Sequence, residues 1–297
     1  MARKIVISRK GFDSKYGAAP SPILMPDGEM WSIPIPEDGG ADCSSTRYGD
    51  IMRGSRSIGP IVAALTKGRH GPNHYAHFDP DLDEGSLPRQ PGWKGLFGLG
   101  HQASFTHLNT THGVGVRDVF LFYGSFRQVD VTPRGCKYRR GSPVLHVFFG
   151  WLQVASQVSP ADANANMPWT RYFPHCVRPA HRASPLEFLY ISDNLNLPGM
   201  KRKLPGAGIF RTYDDDLRLT LEGQTKGVWR LPPWMHPDNG CRLSCNENPN
   251  RWSYLPDGRV RLESADIGQE FVLTIPDRLG AQADAWLRTM IETHGSA

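Results

Sequence analysis

The chain contains DVFLFYGSFRQVD at residues 118–130 and SPVLHVFFGWLQVASQV at residues 142–158. Both are nearly continuous runs of apolar, aromatic and β-branched residues, which is typical of strands that are buried on both faces. The basic segment between them, residues 131–141, is predicted to be a loop. The two runs therefore predict a pair of buried strands at the centre of a sheet.

Short apolar runs separated by turn residues predict further strands on either side of this pair. They lie at residues 5–7, 186–192, 260–264 and 269–275, and Asp27-Gly28 predicts a hairpin. The sequence IGPIVAALT predicts a short helix with Pro60 in its first turn. A C-terminal helix capped by Asp277 is predicted over residues 277–293, because its apolar residues recur at helical spacing.

The composition favours many short elements over a helical bundle. Among 297 residues there are 31 glycines and 25 prolines, while 39% of the chain is apolar and can form a core. We expect a β-rich α+β single domain over residues 1–297, with long loops and the C-terminal helix. An insertion at residues 159–185 is an alternative within this domain. The region 67–112 is rich in Gly, Pro and His and lacks periodicity, and such long irregular regions are usually functional.

Charge and cysteine content indicate which partners and which cellular compartment to expect. The net charge of +5 is compatible with an anionic partner, although many enzymes share it. The five cysteines form no CxxC pair, and neither a signal peptide pattern nor an apolar run near the roughly 20 residues of a membrane span is present. We therefore expect a cytoplasmic protein without a membrane partner; the sequence does not indicate an oligomeric state.

The charged stretch SRKGFD follows the first predicted strand, where a loop is held by a rigid element. Ser8, Arg9 and Lys10 are predicted to bind substrate, because Arg and Lys together suit a phosphate or carboxylate. Gly11 lets the backbone approach a ligand closely. Asp13 is a candidate catalytic base or orienting group, and a solvated turn is the alternative.

A second candidate site lies in HYAHFDPDLDE, residues 74–84. His77, Asp79 and Asp81 are predicted to be catalytic, either as acid/base groups or as ligands of a divalent metal. His77 and Asp79 also have the HxD form of a two-histidine, one-carboxylate iron site, for which His175 is the candidate third ligand. A chain of this composition contains about one HxD by chance, and the incomplete ligand set favours metal-free chemistry. The cofactor is thus unknown, with a divalent metal as an option.

Other motifs give weaker signals. His101 is a candidate substrate-binding residue, and Trp229 beside Arg230 could stack on a base and hold a phosphate. Cys241 and Cys245 with His236 form a loose alternative metal set. The sequence contains no GxxxxGK[ST], no GxGxxG after a strand and no GxSxG, which argues against ordinary ATP, dinucleotide and serine-hydrolase sites.

Seven stretches, in order along the chain, resemble the nucleotide-modification-associated domain 3 family of bacteria and phages. They are SRKGFDSKYGAAPSPI, HFDPDL, DVFLFYGSFR, HVFFGWLQV, LPGAGIF, WRLPPWM and GQEFVL. The resemblance implies an enzyme that modifies DNA bases or nucleotides, with a nucleotide or DNA as its substrate. It also implies that the SRKGFD stretch belongs to the site together with Asp79 and Asp81. It does not imply a reaction type.

The strand pair also resembles, more faintly, the GD…FYG…GW pattern of PUA-like and EVE-like folds, although Arg117 replaces the usual glycine. That resemblance implies a PUA-like barrel element and a non-catalytic module that binds modified bases. In such a module, the nucleic-acid backbone would contact the basic segment, namely Arg134, Lys137, Arg139 and Arg140. An iron-dependent oxygenase using the HxD…H site, with Arg182 as an oxoacid anchor, is the second alternative.

Overall fold

The computed structural model describes residues 2–37, 45–100, 102–132, 135–267 and 270–296. Its strands are β1 Ile5–Arg9, β2 Ser21–Met25, β3 Glu29–Met30, β4 Met52–Arg53, β5 Arg56–Ser57, β6 Leu96–Leu99, β7 Val119–Thr132, β8 Gly135–Tyr138, β9 Leu145–Gln153, β10 Ser156–Val158, β11 Phe188–Ile191, β12 Ala207–Ile209, β13 Val228–Leu231, β14 Arg242–Leu243, β15 Trp252–Tyr254, β16 Val260–Glu263 and β17 Phe271–Thr274. Its helices are α1 Gly59–Leu65, α2 Gln102–Phe105, a π-helical segment Thr106–Thr111, α3 Pro160–Asn166, α4 Pro174–Val177, α5 Pro179–Ala183 and α6 Gly280–His294. Short 3₁₀ turns lie at Glu84–Ser86, Pro168–Thr170, Asp215–Leu217, Pro233–Met235, Pro237–Asn239, Pro249–Arg251 and Asp277–Leu279.

The long strand β7 is the centre of the main sheet, whose strand order is β12-β9-β7-β1-β17-β14. Two strands run parallel to β7 along one of its edges: β1 pairs with residues 119–123 and β2 with residues 126–130. On the other edge, β9 pairs antiparallel to β7 over residues 119–126, and β8 follows it over residues 129–132. The chain between β1 and β2 therefore leaves the sheet midway along β7.

Two further sheets carry residues that matter below. The order β10-β11-β6 forms a three-stranded sheet, and β13-β16-β15 forms another. The apolar core includes an aromatic cluster of Phe97, Phe120, Phe122 and Tyr190, whose ring centroids lie 4.8 to 6.1 Å apart. Through this cluster, the β10-β11-β6 sheet packs against the main sheet.

The β-rich α+β class with a C-terminal helix is confirmed, as are the first strand, the hairpin at Asp27-Gly28 and the helix with Pro60 in its first turn. The PUA-like barrel element is not found: within the described residues the main sheet is open, with β12 and β14 at its ends. The single-domain prediction and the insertion at residues 159–185 remain predictions. Among the described residues, no helix has both the length and the apolar character needed to span a membrane.

Three details differ from the prediction. The basic segment 131–141 is not simply a loop, because β8 folds back on the end of β7 as a hairpin. The run 142–158 is not one strand, because the chain turns after β9 and β10 pairs with β11 in another sheet. Asp277 does not cap the C-terminal helix: it begins a 3₁₀ turn, accepts a hydrogen bond from the Ala2 backbone N–H at 2.6 Å, and α6 starts at Gly280.

A buried histidine in β9 makes the stability of the fold depend on pH. His146 is 4% exposed, and its Nδ1 accepts a hydrogen bond from Trp229 Nε1 at 3.1 Å. Its Nε2 has no hydrogen-bond partner among the described residues. Burial lowers the pKa of His146 from 6.5 to about 3, with smaller contributions from Lys226 and Arg9. The ring is therefore neutral in the folded protein at neutral pH.

We expect His146 to destabilise the folded protein progressively as the pH falls below about 6.5, because the unfolded chain then binds a proton that the folded chain cannot. Between about pH 6 and pH 4 this linkage removes roughly 2 kcal/mol of unfolding free energy. His146→Asn keeps an acceptor for Trp229 but does not titrate, so urea denaturation should show a shallower pH dependence by that amount. Equal pH slopes for the two proteins would contradict the prediction.

Candidate functional site

The opening loop, residues 10–13 of the SRKGFD stretch, is held by backbone hydrogen bonds on both sides of Gly11. The backbone N–H of Lys10 donates to Tyr123 O at 2.9 Å, and that of Phe12 donates to Ile33 O at 2.8 Å. Phe12 is fully buried. Gly11 has a φ of +83°, and a Cβ at this position would lie 2.9 Å from Ile33 O, so only glycine fits here. The loop is thus a rigid wall that begins where β1 ends.

A cleft of about 740 Å³ opens against this wall, which is within the size range of small-molecule sites. Its walls are formed by the opening loop, residues 77–79 (the HFD segment), the end of β6, the helix α4 and the chain just before β17. The polar and charged residues that line it are Arg9, Lys10, Asp13, Ser14, Lys15, Glu37, His77, Asp79, Ser104, His175, Arg178, Lys226, Asp266 and Glu270. This is the largest concentration of predicted site residues in the described structure.

Three of these side chains converge on one point. The Oδ2 atom of Asp79 lies 3.5 Å from His175 Nε2 and 3.9 Å from His77 Nε2. One ligand atom from each of the three residues lies within 4.8 Å of the other two. His77 and Asp79 are two residues apart, whereas His175 comes from α4 on the opposite wall. The three candidate ligands named from the sequence are therefore brought together.

Each of the two histidines in this group has a glutamate carboxylate next to its Nδ1 atom. The Nδ1 atom of His175 lies 3.1 Å from Glu187 Oε2, and that of His77 lies 3.5 Å from Glu37 Oε2. Glu37 in turn accepts a hydrogen bond from Arg178. Both rings therefore present Nε2 to Asp79 while Nδ1 faces a carboxylate, which is the usual arrangement around metal-bound histidine.

The backbone around Asp79 holds its carboxylate in place. Its Oδ1 accepts a hydrogen bond from the Gly98 N–H in β6 at 3.0 Å, and the Asp79-Pro80 peptide bond is cis. Two residues later, Asp81 exchanges backbone hydrogen bonds with Leu96 of the same strand at 3.0 and 2.9 Å. The segment is thus fastened along β6, which leaves Oδ2 of Asp79 facing the histidines.

The centre favours a positive charge. Burial lowers the pKa of His175, but hydrogen bonds and charge interactions with Asp79 and Glu187 raise it more, to about 9. His175 is 4% exposed, and the side chains of Asp79 and Glu187 are each 5% exposed. Two buried carboxylates on one imidazole leave an excess of negative charge, which a proton or a metal cation can neutralise.

The cations of the cleft differ in how they are paired. Arg9 contacts Asp266 at 3.1 Å, and Lys10 contacts Glu270 at 2.9 Å. Lys15 and Lys226 line the cleft and have no salt bridge within the described parts of the chain, although the Lys15 ammonium lies 5.1 Å from the centre of the Tyr16 ring. The cleft also has two exposed apolar side chains, Tyr16 at 48% and Ile267 at 38%.

The structure groups part of the predicted site. Arg9, Lys10 and Asp13 line the cleft with His77 and Asp79. The carboxylate of Asp13 accepts hydrogen bonds from the N–H groups of Lys15 and Tyr16 at 2.8 and 2.7 Å, so it shapes its own turn. Ser8 is buried behind the wall, where its hydroxyl lies 3.4 Å from Glu270 Oε1.

Other predicted residues lie elsewhere. Asp81 is fully buried and does not line the cleft, because its carboxylate faces Arg89 and Tyr172 instead. Trp229 is fully buried against His146, and Arg230 donates to the backbone carbonyl of Asp215 at 2.7 Å. These three residues are therefore separate from the His77–Asp79–His175 group.

The basic segment is not part of the cleft either. Lys137 and Arg140 are exposed on the β8 hairpin, and Arg139 forms a salt bridge with Asp130 at 2.7 Å. His101 and Arg134 lie outside the described residues. Arg182 donates to Cys176 O at 3.4 Å and does not line the cleft. Cys241, Cys245 and His236 do not form a metal-ligand group in the described structure.

Several residues of the site were missed from the sequence. They are Glu37, Gly98, Arg178, Glu187, Lys226 and Glu270. Glu187 and Glu270 are each the second residue of a predicted strand, 186–192 and 269–275, and a polar residue at a strand end is ordinary. No spacing links these positions to the HFD segment, since they come from six different parts of the chain.

A family model described as nucleotide modification associated domain 3 matches residues 4–274. The matched range contains every residue of the cleft described above. No curated protein and no solved structure matches the chain.

Proposed function

The chain belongs to the nucleotide modification associated domain 3 family, and we propose that it is a metal-dependent enzyme that modifies a nucleotide or a base of DNA in this cleft. The observation that carries the proposal is the convergence of His77, Asp79 and His175 on one point of the cleft wall. An involvement in nucleotide modification follows from the family itself; the metal and the catalytic role are the proposal.

The donor set indicates the kind of ion. Two imidazole nitrogens and one carboxylate oxygen suit a divalent first-row transition metal, and the same set with open positions is typical of non-haem iron sites. Glu187 and Glu37 would orient the two rings through Nδ1, as carboxylates do around metal-bound histidine. When bound, such an ion supplies a Lewis acid whose remaining positions are open to water, oxygen or substrate.

The remainder of the cleft supports an anionic, aromatic substrate. Lys15 and Lys226, which have no salt bridge among the described residues, offer two cations for phosphate groups. The exposed ring of Tyr16 offers a surface for stacking once the Lys15 ammonium, 5.1 Å from its centre, turns to a phosphate. Arg178 and Arg9 are held by Glu37 and Asp266, which fixes them in the walls. A nucleotide carries both chemical features, and a cleft of this size accepts one nucleotide but not a duplex.

The test is metal analysis of protein purified without a histidine tag, combined with mass spectrometry of DNA nucleosides from cells that express it. We expect about one metal ion per chain and a new or altered nucleoside in cells with the wild-type protein. Asp79→Asn keeps the acceptor for the Gly98 N–H but weakens the ligand set, so metal content should fall more than tenfold and the new nucleoside should disappear.

Asp266→Asn is the matched control, because Asp266 is a carboxylate of the same cleft whose side chain is 93% exposed and outside the ligand group. It should keep the metal. Iron would assign oxygenase chemistry, whereas manganese or magnesium would assign phosphate or glycosyl transfer. Wild-type protein that neither contains nor binds metal, and that yields the same nucleosides as Asp79→Asn, would overturn the proposal.

A further inference from the structure

Glu270 is a buried carboxylate at the edge of the cleft, and one of its oxygens has no hydrogen-bond partner in the described part of the chain. The side chain of Glu270 is 5% exposed, and its Oε1 accepts hydrogen bonds from Lys10 Nζ at 2.9 Å and Ser8 Oγ at 3.4 Å. Its Oε2 has no hydrogen-bond partner among the described residues. A buried acceptor without a donor is unfavourable, so the position suits a donor that arrives with a ligand.

Glu270 and Lys10 line the same cleft as His77 and Asp79. The terminal torsion of a glutamate side chain is broad, so rotation of the carboxylate can present Oε2 to the cleft that Glu270 lines. Burial raises the pKa of Glu270, but the charge and hydrogen bond of Lys10 lower it more, so the net shift is downward. The carboxylate therefore stays ionised at neutral pH and acts only as an acceptor.

Lys10 supplies the complementary group beside it. Its ammonium has three N–H donors, of which one binds Glu270, and it lies 4.6 Å from the centre of the Phe97 ring. Glu270 and Lys10 thus present one acceptor and at least one donor next to each other. The edges of nucleobases carry the same combination, in which an amino or imino N–H lies beside a ring nitrogen or a carbonyl oxygen.

We infer that Glu270 and Lys10 form the base-recognition subsite of the cleft, in which Glu270 Oε2 accepts an N–H of the base and Lys10 donates to the acceptor next to it. The inference rests on the proposed function and adds the specificity-determining contacts for its substrate. It assigns Lys10 to the base and leaves Lys15 and Lys226 for phosphate groups.

The test uses fluorescein-labelled DNA trimers in which both outer nucleotides are abasic and the central one carries a single base. Binding to the purified protein is measured by fluorescence anisotropy for the four natural bases and for a fully abasic trimer. Trimers with unsubstituted purine or pyrimidin-2-one, which have no N–H donor, serve as analogues. We expect the best natural base to bind about tenfold or more tightly than its donor-free analogue.

Glu270→Gln should remove this preference without weakening the binding of the abasic trimer, because Lys15 and Lys226, the residues assigned to the phosphate groups, are unchanged. Ser8→Ala is the matched control: it removes a contact with Oε1 rather than Oε2 and should keep the preference. If Glu270→Gln does not fold, the double variant Lys10→Met/Glu270→Gln removes both charges of the pair and should show the same loss.

The outcomes separate the two proposals. A preference that persists in Glu270→Gln or in the double variant would overturn the inference and leave the proposed function standing, as would natural bases that bind no better than their donor-free analogues. Wild-type protein that binds none of the trimers, with or without a base, would overturn the inference and the DNA substrate of the proposed function, whereas metal bound by the cleft would still support action on a free nucleotide.

Discussion

Gly98→Ala is expected to lower the metal affinity of the cleft by about 100-fold or more while the protein still folds. A Cβ at position 98 would lie 2.2 Å from Cδ2 and 2.6 Å from Nε2 of His175. Contacts this short cannot persist, and Gly98 is held in β6 by its pairing with Leu189, so the imidazole must move. Because His175 Nε2 is a candidate ligand atom, its displacement breaks the group.

Isothermal titration with Mn²⁺ or Zn²⁺ measures this affinity directly, and thermal unfolding reports whether the fold is kept. Gly115→Ala is the control, because a Cβ there meets nothing within 4 Å and the residue has no positive φ. It should bind metal as the wild type does. Unchanged metal affinity in Gly98→Ala would show that His175 is not a ligand, and would remove the main support for a metal centre.

Asp81→Asn is expected to lower the free energy of unfolding by about 3–5 kcal/mol. The Asp81 carboxylate is fully buried and binds both terminal nitrogens of Arg89, at 2.6 and 2.7 Å, and also accepts a hydrogen bond from the Tyr172 hydroxyl. The Arg89 side chain is only 8% exposed. Removal of the negative charge leaves the guanidinium buried without its counter-ion, which is the costly way to break such a pair.

Denaturant unfolding measures the loss, and Asp130→Asn provides the comparison. Asp130 pairs with Arg139 near the surface, where the two side chains are 35% and 41% exposed, so its loss should cost less than about 1 kcal/mol. Asp81→Leu combined with Arg89→Met removes both charges and should recover part of the stability. A loss for Asp81→Asn no greater than that for Asp130→Asn would contradict the expectation.

The side chains of the candidate centre could be predicted from the sequence, whereas their arrangement in space could not. The HxD pattern and the distant His175 named the three side chains that converge, because the residue types that bind metals are few. Asp81 could not be distinguished from Asp79 in the same way. Both are aspartates in one short segment, and only the position of Arg89 in three dimensions shows that one faces an arginine and the other faces two histidines.

The contacts behind the centre were not predictable, for a related reason. Glu187 and Glu37 are 150 residues apart, and neither belongs to a recognisable ligand motif. The strands were easier to predict, since apolar runs predict burial. The division of residues 142–158 into β9 and β10 could not be predicted. The whole run contains only a few polar residues, and the turn between the two strands is fixed by hydrogen bonds from the backbone N–H of Val154 to Asp118 O and from that of Ala155 to Ile191 O.

The shared edge of β7 has an evolutionary consequence. Because β1 and β2 are each paired with β7, the eleven residues from Lys10 to Pro20 start and end at fixed points on one strand. Within that segment, residues 14–16 are exposed, while Phe12 and Gly17 pack against each other. Insertions or exchanges at residues 14–16 therefore leave the strand register unchanged while they reshape the mouth of the cleft. Under the proposed function, substrate range can diversify at this position while the pairing of β1 and β2 with β7 is kept.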